Sequence, residues 1–74
     1  MVNLEIVHGV VESFDAHRGL GYINAQGERF LFHCAEITDG TRDIATSTRV
    51  SFIPVERFGN REASVVTVQT AESY

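Results

Sequence analysis

Short runs of β-branched and aromatic residues alternate along the chain with glycines and polar turns, and no long window holds a helical period. The first run covers residues 4–14 and contains Gly9, and a glycine inside a strand pattern predicts a bulge or a sharp coil there. A polar turn at 15–18 leads into a second run at 19–23. Asn24-Ala25-Gln26-Gly27 then turns the chain back, with Gly27 placed for a positive φ, into a third run at 29–33. These two runs are close enough to pair as an antiparallel hairpin. Residues 35–37 fit one helical turn, and the polar stretch 38–48 is the longest loop and the expected mobile part. The fourth run, 49–56, holds Pro54, which has no ladder donor and marks an edge or bulge. A turn at 58–61 precedes the last strand, 63–68. Five short strands without a long helix predict an all-β barrel or sandwich.

Side chains alternate across a strand, so the hairpin has two distinct faces. Packing Ile23, Phe30 and Phe32 inward leaves Leu20, Tyr22, Leu31 and His33 outside, side by side. Four apolar or aromatic residues on a wet face need an occupant. A stacking platform for bases on Tyr22 and His33 is one reading. A covered face or a protein contact is the other.

At 74 residues the chain forms one domain, and its 43% apolar share suffices for one core. Neither a membrane-length apolar run nor a charged-then-apolar leader is present, so a cytoplasmic protein with no membrane partner is expected. One cysteine, Cys34, allows no internal disulfide. Ten acidic residues against six arginines and no lysine give a net charge of −4, which weighs against a protein that coats duplexes or membrane surfaces. A basic set made only of arginine is compatible with a GC-rich bacterial genome.

The chemistry-bearing residues point away from catalysis. Cys34 and His33 are neighbours and point to opposite faces of a strand, which disfavours a thiolate–imidazole pair. His8, His17 and His33 lack metal-ligand spacing. Gly19-Leu20-Gly21 opens a strand and not a helix, so it is no dinucleotide loop. No enzyme, cofactor or metal is expected. Arg18 is weighed as a phosphate contact against a solvated turn residue, and Phe14 as a platform residue against a barrel-closing one. Arg29, Arg42, Arg57 and Arg61 read as surface charges with phosphate contact as the alternative.

Arg18-Gly19-Leu20-Gly21-Tyr22-Ile23 resembles the first ribonucleoprotein motif of cold-shock domains, Lys-Gly-Phe-Gly-Phe-Ile. Phe30-Leu31-Phe32-His33-Cys34 resembles the second, Val-Phe-Val-His-Phe. Gly9-Val10-Val11-Glu12-Ser13-Phe14-Asp15 is similar to the family's opening strand, Gly-x-Val-Lys-Trp-Phe-Asn, and Val50-Ser51-Phe52 and the Gly59 to Val65 tract resemble its last two strands. The resemblance spans residues 6–68. It implies a five-stranded antiparallel OB-fold barrel, assigned to residues 1–70, and the chain end is separately expected to fray from Gln69, with 71–74 as a frayed tail. It also implies binding of single-stranded RNA or DNA, as an RNA chaperone or a regulator of transcription or translation.

On this resemblance the nucleic-acid-binding residues are Phe14, Arg18, Leu20, Tyr22, Leu31 and His33. The departures are Ser13 for the stacking tryptophan, Glu12 for the lysine before it, Leu20 and Leu31 for phenylalanines, and Cys34 for the phenylalanine after the histidine. The loop aromatic common in the family is missing from 38–48. Stacking contributes about 1–3 kcal/mol per base, so losing four such groups, even at about 1 kcal/mol each, predicts binding weaker by roughly a thousandfold, part of which the leucines recover by apolar contact with base faces. The rival reading is a protein-interaction module on the same face, or a homodimer that buries Leu20 and Leu31.

Overall fold

The computed structural model describes residues 5–69 and contains five strands, β1 (Val7–Asp15), β2 (Leu20–Ala25), β3 (Glu28–His33), β4 (Arg49–Arg57) and β5 (Asn60–Val68). A 3-10 turn at Cys34–Glu36 takes the place of the helical turn expected one residue later. Gln26 (φ 55°) and Gly27 (φ 83°) both take left-handed backbone, the geometry of a tight hairpin turn whose twist matches the flanking strands. Phe58 (φ 50°) and Gly59 (φ 83°) repeat this turn between β4 and β5.

The strands close into a barrel in the order β1-β2-β3-β5-β4. Every ladder is antiparallel except the seam between β3 and β5, which is parallel and rests on the pair Leu31 with Glu62. A parallel bridge between Ile37 and Val66 extends that seam past the 3-10 turn. Val11, Ile23, Phe32, Val50, Phe52 and Val66 are almost completely buried in the middle. Burying each such side chain stabilises the fold by about 1.5–3 kcal/mol. No helix among the described residues is long and apolar enough to cross a membrane.

The irregularity expected at Gly9 lies further along. Gly9 pairs regularly with Val50, and the register of β1 against β2 shifts between Val11 and Ser13, with Glu12 as the extra residue. Gly9 is required instead by close approach, since a Cβ there would sit 2.7 Å from the Asn24 carbonyl oxygen. Pro54 lies beyond the end of the β1–β4 ladder, which stops at Val7 with Phe52, so its missing N–H leaves no gap in that ladder.

The long connection at 38–48 is pinned by buried Ile44 and by short polar bonds: Thr41 Oγ1 donates to Asp39 Oδ1 (2.9 Å), and Thr48 Oγ1 to the Ala45 carbonyl (2.7 Å). Gln69 continues the pairing, its N–H donating to the Arg49 carbonyl at 2.8 Å. The start of the first predicted run at Leu4 and the tail at 71–74 lie outside the described residues.

Candidate nucleic-acid interface

The β2–β3 ladder sets Leu20 opposite His33, Tyr22 opposite Leu31 and Asn24 opposite Arg29, alternating with Gly21 opposite Phe32 and Ile23 opposite Phe30. Phe30, Phe32 and Ile23 are buried, whereas Tyr22 is 41% exposed, His33 is exposed, and Leu20 and Leu31 are half-buried. The inward and outward sets are the ones expected from the alternation. Residues facing each other across a ladder lie about 5 Å apart, so the four outward side chains form one continuous surface.

The bulge at Glu12 extends this surface onto β1. It resets the alternation so that Ser13 stands opposite Tyr22 and Phe14 opposite Gly21. Ser13, Tyr22 and Leu31 therefore form one row across three strands, and Asp15, Leu20 and His33 form the next. Phe14 turns to the barrel side, half-buried, where its ring stacks on Phe32 with centroids 5.7 Å apart. Gly21 makes this possible: a Cβ there would meet the Ser13 carbonyl at 2.5 Å and the Phe32 ring at 2.8 Å.

A shallow groove of about 290 Å³ runs over the surface, lined by Ser13, Phe14, Asp15, Arg18, Leu20, Gly21, Tyr22 and Leu31. Phe14 thus closes the barrel and forms part of the groove wall. Arg18 sits in the turn after β1, where Asp15 Oδ1 accepts the N–H of both His17 (3.0 Å) and Arg18 (3.3 Å). A wider depression of about 400 Å³ lies elsewhere, lined by Glu5, Glu28 and Glu56 with Arg61 as its one cation, a net acidic rim that disfavours phosphate.

Three of the six arginines are neutralised internally. Arg29 makes a two-point contact with Glu12, Nε to Oε1 at 3.2 Å and Nη2 to Oε2 at 3.1 Å, and its guanidinium carbon lies 5.5 Å from the centre of the Tyr22 ring. That hydrogen bonding and the Glu12 charge hold Arg29 more firmly protonated than usual. Arg57 pairs with Glu62 at 3.3 Å, and Arg61 pairs with Glu28. Arg18, Arg42 and Arg49 make no ion pair among the described residues, and only Arg18 of these lines the groove.

The Glu12–Arg29–Tyr22 arrangement was not legible in the sequence, because Glu12 and Arg29 lie 17 residues apart on different strands. Cys34 is half-buried and packs against the core. No group of three or more histidine, cysteine or carboxylate side chains among the described residues could hold a metal.

A closed five-stranded barrel with an aromatic and aliphatic row on its β2–β3 face has the architecture of OB-type nucleic-acid-binding domains. Residues 7–69 match the 'Cold-shock' DNA-binding domain, and the chain belongs to that family. Among solved structures it is similar to Drosophila Unr CSD456, with a TM-score of 0.78 and 21% identity over 95% of this chain. At that identity the likeness is one of fold, and the chain spans 29% of the length of that structure. No curated protein matches the chain in sequence.

Proposed function

We propose that this domain binds single-stranded RNA or DNA, without catalysis, on the outer face of β1, β2 and β3. Tyr22 and His33 stack on bases, Leu20 and Leu31 give apolar support, Phe14 walls the groove, and Arg18 meets a phosphate. The observation that carries this reading is the continuous outward surface of Leu20, Tyr22, Leu31 and His33 in a chain of the cold-shock family. Every base has a π-face, so such a surface tolerates sequence, as an RNA chaperone or a regulator of transcription or translation requires.

Affinity is lower than in members that keep the stacking residues, since Ser13, Leu20, Leu31 and Cys34 stand at those positions. Salt dependence is shallow, at about −0.7 in log–log slope per phosphate neutralised, because Arg18 is the one groove-lining arginine outside an ion pair. The test is titration of an oligopyrimidine and of an unrelated single strand at low salt, repeated with Tyr22→Ala and His33→Ala. Binding that both changes abolish supports the reading.

The paired arginines and the net charge of −4 favour a second reading, self-association through Leu20 and Leu31. Absence of binding at any salt, with a size that grows with concentration in light scattering, selects it.

A further inference from the structure

The Glu12 carboxylate occupies Arg29 in the way a phosphate would. A guanidinium offers a planar fork of donors that fits carboxylate and phosphate alike, two bonds at a time. Here the fork is taken by Glu12, with both bonds at 3.2 Å or less, while the cation lies within attractive range of the Tyr22 ring. We infer that Arg29 is a phosphate contact of this interface and that Glu12 is a built-in rival for it, so that a single strand binds by displacing the carboxylate from the guanidinium. The inference rests on the proposed binding face and adds to it a residue pair that sets its affinity.

Three features of the site support this. Arg29 stands on β3 in the outward set with Leu31 and His33, and its guanidinium carbon lies 5.5 Å from the centre of the Tyr22 ring, beside the place where a base on Tyr22 would carry its phosphate. The pair is open to water, at 63% exposure for Arg29 and 35% for Glu12. Exposed pairs of this kind hold by up to about a fivefold factor in equilibrium, little enough for a polyanion to overcome. Finally, Glu12 is the extra residue beside Ser13, so the rival carboxylate borders the row of Ser13, Tyr22 and Leu31.

The test compares wild type, Glu12→Gln, Arg29→Gln and the double variant, binding a fluorescent oligopyrimidine across a salt series, with thermal melts to verify folding. Glu56→Gln, an exposed glutamate outside the ion pairs, controls for one unit of overall charge. Glu12→Gln is expected to bind about two- to fivefold tighter, with a slope steeper by up to about 0.7, and the gain should vanish in the Arg29→Gln background. An unchanged or weaker Glu12→Gln overturns the inference, as does a gain matched by Glu56→Gln or one that survives without Arg29. If wild type binds and loses binding with Tyr22→Ala while Glu12→Gln is flat, only the rivalry falls. If neither wild type nor Glu12→Gln binds, both readings fall.

Discussion

The ring of Phe14 lies on that of Phe32 with planes 15° from parallel, directly beneath the outward row. The pair joins β1 to β3 across Gly21, so the exposed side chains rest on an aromatic layer and not on solvent. Phe14→Ala is therefore expected to cost stability first, by about 2–4 kcal/mol, given that the ring is only half-buried. Urea denaturation checks this: the midpoint falls while the slope stays unchanged. Binding per folded molecule drops less than with Tyr22→Ala.

Leu20 and Leu31 are half-buried and border open groove, so a larger ring fits without entering the core. Leu20→Phe and Leu31→Phe each restore a stacking plane worth about 1 kcal/mol, the low end for such groups, or roughly a fivefold gain apiece in single-strand affinity. Fluorescence anisotropy at fixed salt measures it. A loss in both variants contradicts stacking on this face.

Gly21→Ala puts a methyl group where the Ser13 carbonyl and the Phe32 ring already stand. Backbone cannot retreat cheaply from a 2.5 Å approach, so a cost of about 1–3 kcal/mol or more is expected. Thermal melting detects it, and a variant as stable as wild type would mean that β1 and β2 are further apart than described.

Glu36 explains an unusual backbone and gives the fold a pH dependence. Its carboxylate accepts the Val65 N–H (3.1 Å) and the Ser64 hydroxyl (2.9 Å), holding Val65 at φ 51°, a left-handed conformation that β-branched residues avoid. The Val65 bond first and the Ser64 bond second hold the Glu36 carboxyl below its ordinary value of 4.5. A lowered folded value means that the unfolded chain takes up the proton more readily. Its stabilisation is thus complete above 4.5 and is lost as the pH falls through the depressed folded value. Asp39, held low by the Thr41 backbone and hydroxyl, acts in the same direction. Glu36→Gln should cost about 1–3 kcal/mol at neutral pH and flatten part of the acid dependence of the melting temperature. A curve parallel to wild type refutes the assignment.

Much of the site was legible because its signals are local. Period-two alternation put Ile23, Phe30 and Phe32 inside and Leu20, Tyr22, Leu31 and His33 outside, and the residues at 24–27 marked the turn. What escaped is what depends on distant partners. One extra residue in β1 leaves no compositional mark, so the irregularity was expected at the visible glycine, Gly9, and not at Glu12. The pairing of Arg29 with Glu12 joins residues 17 apart, which no local signal marks. Val65 could not be foreseen either, because an ordinary valine in a strand pattern gives no sign of the carboxylate, from the 3-10 turn, that bends its backbone.

The β1–β4 ladder brings Val7 against Phe52, and the β3–β5 seam brings Leu31 beside Glu62, whereas the two tight hairpins need only neighbours. Contacts between remote parts of a chain form after local ones, because the entropy of closing the intervening segment comes first. Closing the barrel therefore carries the entropy of the segment at 38–48, which contributes none of the groove-lining residues. Shortening or lengthening that segment is thus expected to change the closure cost and leave the outward row of β2 and β3 in place.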